Sequence, residues 1–402
     1  MVNVAILGFG VVGSGVCELL TNNAREVAAL GGDEVNIKYI LDRYDFPSSP
    51  FASKIIHDFD IIANDPQVDC VIEAMGGSHP AYEFTMAALN AGKSVITSNK
   101  EVVSRFGDEF LAAAEKNGVC YRFEAAVGGG IPVISPVIGC VRQNKITEIR
   151  GILNGTTNYI LTKMFSFGAS FEESLRDAQQ RGYAESNPDA DILGTDACRK
   201  IAILSSLVTG RLTSTDKIHT EGITAIRAED VAAAEKVGMK IKLLGRCIID
   251  GEQAQIMVAP FMLGGDLALS HVDGVYNAIE VLGEPIGSVM FYGPGAGGGA
   301  TASAMVGDLV QIMRSGRATA QPTMIKTDEG FADFAAFKSR NYIALSGVDA
   351  SAATAVFGNA QVISEGDELA LITPEISEAQ VTEAIAALTA RGATLKSRIR
   401  LV

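Results

Sequence analysis

The chain has 402 residues, 48% of them hydrophobic and 20% charged, with a net charge of −14. That length suffices for two or three domains, and the composition is that of a globular protein. The acidic balance excludes a nucleic-acid backbone and an anionic membrane surface as partners, though not a local basic pocket for a phosphate, and no apolar run approaches the roughly 20 residues of a membrane-spanning helix.

Met1 to Gly8 reads straight into a strand, Val2 to Leu7, with no signal-peptide charge pattern, so a cytoplasmic location is expected. Gly8-Phe9-Gly10-Val11-Val12-Gly13 follows at once, and Ser14 to Leu20 continues with helical spacing. This is G-x-G-x-x-G in a strand–turn–helix setting. The first glycine makes the tight turn, the second lets the backbone approach a pyrophosphate, and the third allows close helix–strand packing. The helix N-terminus adds N–H donors for the phosphates. A second strand is expected at Asn36 to Leu41, ending in Asp42-Arg43. An acid here would bond the ribose 2′-OH of NAD, and an arginine would hold the 2′-phosphate of NADP. Both stand side by side. Arg43 tilts the expectation toward NADP; surface pairing of Arg43 with Asp42 or Asp45 is the other reading.

Alternating units continue. Asp69 to Ala74 reads as a buried strand ending in Met75-Gly76-Gly77, and Pro80 to Ala91 as a helix. Ser94 to Thr97 is the next strand, followed by Ser98-Asn99-Lys100. Lys100 therefore sits beyond a strand's carboxyl end, where open α/β sheets bind ligands. A lysine opening a helix opposes the helix dipole, so its place is not explained by helix stability. Val119 to Glu124 is expected to close the sheet, leading into Ala125-Ala126-Val127-Gly128-Gly129-Gly130-Ile131-Pro132. Such a loop can aim several carbonyls at one hard cation, with Glu124 adding charge, or serve as a plain hinge.

Ile146 to Leu153 reads as a strand, and Asn154-Gly155-Thr156-Thr157-Asn158-Tyr159-Ile160-Leu161 opens a helix. Gly182 to Lys200 then gathers Glu185, Asp189, Asp191, Asp196 and Lys200 in a loop and the start of a helix expected over Asp191 to Val208. Asp196 and Lys200, four apart, share one helix face. Carboxylates beside a lysine suit a substrate with an amine and a polarisable carbonyl; a solvated, dipole-favoured helix start is the plain alternative. A second glycine loop, Phe291 to Ala302, precedes a helix to about Arg314. The six cysteines form no CxxC pair and read as buried reduced thiols, and the four histidines sit in no triad or metal spacing.

Residues 317–340 look like a linker. The remainder reads βαββαβ, with strands near Tyr342–Ser346, Gln361–Ser364, Glu368–Ile372 and Thr394–Leu401, a ferredoxin-like pattern.

The glycine motif, Ser98-Asn99-Lys100, Val127 to Pro132, Asn154 to Leu161, Gly182 to Lys200 and Tyr292 to Thr301 together resemble the homoserine dehydrogenases, in the same order over roughly residues 1–316. The resemblance implies an α/β fold with a Rossmann dinucleotide-binding domain (1–130, with a return segment near 293–316). An α+β catalytic and dimerisation domain (131–316) would follow, then the linker (317–340) and an ACT-like domain (341–402). It implies reversible reduction of L-aspartate 4-semialdehyde to L-homoserine with NADP or NAD, in a homodimer or homotetramer with no nucleic-acid or membrane partner.

By the same resemblance Lys200 is the proton donor, Lys100 a second active-site lysine that also touches cofactor, and Asp191 a further active-site acid. Glu185 and Asp196 bind substrate. Cofactor contacts fall to Gly8, Gly10, Val11, Val12, Gly13, Asp42, Arg43, Gly76, Ser98, Lys100, Gly182, Glu185 and Gly297. Glu124, Val127, Gly129 and Ile131 match a sodium site. The C-terminal segment departs from ACT domains in its first turn, Val348 to Ala352, so pairing of subunits is at least as well supported there as effector binding. Two other functions compete. An aldehyde-oxidising enzyme needs an activated cysteine, but Cys120 lies in a strand pattern and Cys140 has no neighbouring histidine. A sensor that had lost catalysis would not need both Lys100 and Lys200.

Overall fold

The computed structural model describes residues 1–315 and 322–402. The chain divides into two compact units. The first comprises 1–145, 202–215 and 291–328, the second 146–201, 216–290 and 329–402.

In the first unit, six strands form one sheet in the order Ile55–Ile56, Val35–Leu41, Val2–Leu7, Cys70–Glu73, Ser94–Thr97, Tyr121–Arg122. All neighbours are parallel, and in chain numbering the order is 3-2-1-4-5-6, that of a Rossmann domain. The central strands are near-continuous apolar runs because helices cover both faces of such a sheet. Val4, Ile6, Ile40, Ile72 and Ile96 are buried with Val16 and Leu20 of the helix Val11–Asn22. Met305 and Leu309 of the helix Gly298–Ser315 join the same cluster, so a segment distant in sequence completes this core. Small residues permit the approach: a Cβ on Gly15 would lie 3.3 Å from the Ala302 Cβ.

The strand expected to reach Glu124 stops at Arg122; Glu124–Ala126 is a 3-10 turn. Residues 317–321 of the expected linker lie outside the described residues. Further on, Ile325–Lys326 pairs in parallel with Arg211–Leu212.

The second unit is built on a mixed sheet. Its order is Gly287–Pro294, Tyr276–Glu284, Lys145–Ile152, Met239–Asp250, Gln253–Gly264, Thr394–Leu401, Asn341–Ser346, Leu369–Ile372, Gln361–Ser364. The last four strands, with the helices Ala350–Phe357 and Glu378–Thr389, are the expected βαββαβ in ferredoxin-like order. Parallel pairing of Phe261 and Met262 with Arg400 and Leu401 merges them into one sheet with the middle of the chain. Lys338–Ser339 pairs with Ile376–Ser377, so this part of the expected linker also carries strand pairing.

The helix expected over Asp191 to Val208 is two helices, Asp189–Ile192 and Thr195–Thr209. Gly194 separates them at φ +84°, where a Cβ would be strained and would lie 3.1 Å from the Thr220 methyl.

Candidate functional site

The glycine motif of the first unit builds a cleft by leaving atoms out. Gly8 turns at φ +92°. A Cβ on Gly13 would collide with the Gly8 carbonyl oxygen, whereas one on Gly10 would meet nothing. Gly13 therefore serves packing, and Gly10 faces open space above the N-terminus of the helix Val11–Asn22. Beside them is a cleft of about 540 Å³ lined by Gly8, Gly10, Asp42, Arg43 and Gly76 of the expected cofactor residues. Val11, Val12, Gly13, Ser98 and Lys100 do not line it; Val11 is exposed, and Lys100 opens the helix Lys100–Asn117 behind the Asn99 cap. His57 and His79, read from sequence as ordinary, also line the cleft.

Asp42, expected on the ribose, uses its carboxylate on backbone. Oδ2 accepts the Phe9 N–H at 2.8 Å and Oδ1 the Tyr44 N–H at 3.0 Å. The acid thus ties the glycine turn to the end of the second strand. Arg43 is exposed, with its guanidinium 5.2 Å from the centroid of the Tyr44 ring. Unfilled space at Gly10, donors at a helix start and a cation at the rim fit a dinucleotide with its pyrophosphate on the turn.

Gly297, at φ +118°, precedes a helix whose first residue, Gly298, abuts Val11 so closely that a Cβ would overlap its side chain. The two glycine loops are therefore neighbours within this unit. The third glycine stretch joins them: a Cβ on Gly129 would come within 2.7 Å of the Gly295 carbonyl. Gly128 and Gly129 take φ +76° and +56°.

The Glu124 carboxylate, expected to add charge to a cation, is taken up by amides instead. Oε1 accepts Val133 N–H at 2.6 Å and Ile134 N–H at 2.7 Å, and Oε2 accepts Ser135 N–H at 2.7 Å. Asp308 accepts the Glu124 N–H at 2.9 Å, and burial, with Glu124's charge added, pushes its carboxyl up to about 7. Among the described residues no three His, Cys, Asp or Glu side chains group as metal ligands. A cation at this turn would therefore rest on carbonyl oxygens.

The second unit collects charge. Lys200 is 7% exposed and Asp196 5%. The Lys200 ammonium donates to Asp196 Oδ2 at 2.8 Å and to the Leu153 carbonyl at 2.7 Å. Asn154 then bridges two acids, its Nδ2 donating to Asp191 Oδ1 at 2.7 Å and Asp196 Oδ2 at 2.9 Å. Its Oδ1 accepts the Thr157 N–H at 2.9 Å and caps the helix Gly155–Phe167. Burial pushes the Asp191 carboxyl up, the Asn154 bond opposes that shift, and Asp196 adds to it.

Asn154 ties the two acids together, a link the sequence reading missed. Its place before a helix signalled a cap, but its acid partners lie 37 and 42 residues away. Glu185 is exposed, with its carbonyl held by Gln179 Nε2 at 3.1 Å, and Gly182 turns at φ +75°. Five cysteines are buried and Cys140 is exposed, against the expectation that all would be buried. Burial pushes the Cys17 thiol up to about 12 and raises that of Cys198, the opposite of an activated nucleophile.

A Rossmann sheet with a cleft that fits a dinucleotide defines a nicotinamide-linked dehydrogenase, and the second unit adds a buried lysine bonded to one aspartate. A family model described as homoserine dehydrogenase matches residues 132–310, and one described as homoserine dehydrogenase, NAD binding domain, matches residues 8–124. A homoserine dehydrogenase of Synechocystis is 43% identical over 318 residues, 78% of this chain and 73% of the relative. The crystal structure of a homoserine dehydrogenase from Thiobacillus denitrificans is similar with a TM-score of 0.93 at 33% identity, covering 100% of this chain and 98% of that one. A hyperthermophilic archaeal homoserine dehydrogenase in complex with NADPH gives a TM-score of 0.66 at 27% identity, over 77% and 97% of the chains. The chain belongs to the homoserine dehydrogenase family, oxidoreductases acting on a CH–OH group.

Proposed function

We propose that the chain reduces L-aspartate 4-semialdehyde to L-homoserine reversibly, with Lys200 as the proton donor. The observation that carries this reading is the hydrogen-bonded Lys200–Asp196–Asn154–Asp191 cluster, buried except at Asp191. The nicotinamide, when bound, supplies or accepts the hydride. As negative charge grows on the aldehyde oxygen, the Lys200 ammonium stabilises it and gives it a proton. Asp196 keeps that ammonium aimed, and Asn154 keeps Asp196 and Asp191 from swinging apart. Glu185 and Asp196 hold the substrate amine, and Asp191 adds negative charge beside them. In the oxidative direction a neutral Lys200 takes the hydroxyl proton, which favours alkaline pH. Lys100 is assigned as the second active-site lysine.

NADP is favoured over NAD: Asp42 is engaged by backbone N–H groups while Arg43 stands at the cleft. Gly8, Gly10, Val11, Val12, Gly13, Gly76, Ser98, Lys100, Gly182, Glu185 and Gly297 complete the cofactor assignments. The NADPH bound to the archaeal relative supports a reduced nicotinamide dinucleotide as the ligand. Sodium is assigned to the carbonyls of Glu124, Val127, Gly129 and Ile131. The functional domains proposed are 1–130 with a return near 293–316, 131–316, a linker over 317–340, and an ACT-like 341–402 that joins subunits into a homodimer or homotetramer. Among the described residues no helix is long and apolar enough to cross a membrane; a cytoplasmic location is part of the same reading.

The test is incubation of purified protein with L-aspartate 4-semialdehyde and either NADPH or NADH, following nicotinamide absorbance and identifying the product by chromatography. L-homoserine formed in step with cofactor consumed is expected. Cofactor binding without turnover in either direction would replace this reading with that of a sensor.

A further inference from the structure

Glu73 ends the strand Cys70–Glu73 and is fully buried, with no cation paired to it among the described residues. An acid in such a place is costly unless both oxygens are satisfied. Here both are. Oε1 accepts the Met75 N–H at 2.7 Å, and Oε2 accepts the hydroxyl of Thr97 at the end of the neighbouring strand. The Thr97 oxygen in turn accepts the Asn99 N–H at 2.9 Å. Asn99 returns the connection, its Nδ2 donating to the Gly77 carbonyl at 2.7 Å. Its Oδ1 accepts the Glu101 and Val102 N–H groups at 3.2 and 3.4 Å, capping the helix that Lys100 opens.

The result is a closed ring of hydrogen bonds between two strand-end loops. One loop, 74–77, supplies Ala74, Met75 and Gly76 to the wall of the dinucleotide cleft. The other, 98–100, carries Ser98 and Lys100. Burial pushes the Glu73 carboxyl up to about 7, and the bonds from Thr97, Met75 and Asn99 oppose that shift. The ring has a direction of donation: Asn99 N–H to Thr97, Thr97 O–H to Glu73, Met75 N–H to Glu73. Only a carboxylate accepts at both ends. A glutamine of the same size accepts the Met75 N–H at its oxygen but meets Thr97 with an N–H, so the Thr97 hydroxyl loses its acceptor and must turn its proton elsewhere.

We propose that Glu73 is a positioning residue for the dinucleotide, fixing the spacing of loops 74–77 and 98–100 through Thr97 and Asn99. The inference rests on the dehydrogenase reading above and deepens it, since it names how the cleft wall is held rather than what enters it.

The test uses the full chain with Glu73→Gln, Thr97→Val and Thr97→Ser, and reads dinucleotide affinity from NADPH and NADH fluorescence without substrate, beside thermal unfolding and the KM for L-homoserine. Loss of a hydrogen bond to a charged acceptor corresponds to a factor of about ten or more. E73Q and T97V are expected to weaken the preferred dinucleotide by about tenfold, with non-additive effects in the double variant. T97S, which keeps the hydroxyl, should bind within about twofold of wild type, and the KM for L-homoserine should stay put in all three. Affinities unchanged in both E73Q and T97V, with only lowered melting temperatures, would overturn the proposal and leave Glu73 a folding role. A wild-type chain that binds neither dinucleotide would remove the dehydrogenase reading itself, and this inference with it.

Discussion

The candidate sites of the two units are built in opposite ways. The first works with backbone and empty space: glycines without Cβ atoms, N–H groups at a helix start, and an acid, Asp42, spent on holding the turn. The second works with side-chain charge, buried at Lys200, Asp196 and Asn154 and half-buried at Asp191: one lysine, two aspartates and an amide linked by bonds of 2.7 to 2.9 Å. A site of the first kind is broken by adding atoms, and one of the second kind by removing or unbalancing charge.

That contrast orders the predictions. Lys200→Ala should cost the most, lowering turnover by roughly 10²–10⁴ through loss of the proton donor. Circular dichroism should show the fold retained, because Asp196 keeps its Asn154 bond. Turnover within a few-fold of wild type would remove Lys200 from the mechanism.

Asn154→Ala should lower kcat by about ten- to a hundredfold and destabilise by about 1 kcal/mol, because the variant loses the bridge and the helix cap together. Asn154→Asp separates the two roles. It keeps a capping oxygen but sets a third carboxylate against Asp191 and Asp196, so its activity should fall at least as far. Normal activity in N154D would show that only the cap matters.

Adding one methyl tests the first unit. Gly13→Ala forces a Cβ into the Gly8 carbonyl and should cost about 1–3 kcal/mol of stability, read as a lower Tm, together with dinucleotide affinity. Gly10→Ala enters open space and should leave Tm unchanged while weakening the dinucleotide. Equal Tm losses in both would contradict the division of labour between these glycines. Arg43→Ala is milder: KM for NADP should rise by about tenfold and that for NAD should stay unchanged. Equal loss with both cofactors would refute the phosphate clamp.

The smallest effect concerns Asp308, whose carboxyl lies well above its unfolded value, at about 7. A raised acid binds its proton more tightly in the folded state, so stability is lost as pH climbs from the unfolded carboxylate range through about 7. Asp308→Asn keeps an acceptor for the Glu124 N–H and removes that titration. Its Tm should exceed wild type by a few degrees at mildly alkaline pH and converge with it at acid pH. A gap that widens at acid pH would reverse the sign and the explanation.

Legibility in the sequence followed the same division. The Rossmann sheet was readable because parallel strands are continuous apolar runs and the glycine turn has a fixed spacing. The βαββαβ order of the last sixty residues was readable from the alternation of strand-like and helix-like segments. Asp196 and Lys200 could be paired because four residues on a helix place them on one face. Asn154 could not be paired with Asp191, since no local period links residues 37 apart. The Glu124 carboxylate was assigned to a cation because nothing in the strand pattern announced that a downstream turn would offer it three N–H groups. Gly194 breaking one expected helix into two was visible only as a single glycine, which helices tolerate at modest cost.

The most direct test of the central claim is the pH dependence of turnover in both directions, on wild-type protein with its preferred cofactor at saturation. If Lys200 donates the proton, oxidation of L-homoserine should climb with pH while reduction of L-aspartate 4-semialdehyde declines, the two profiles mirroring one ionisation. Parallel profiles in the two directions, or a mirrored pair that survives intact in Lys200→Ala, would contradict it.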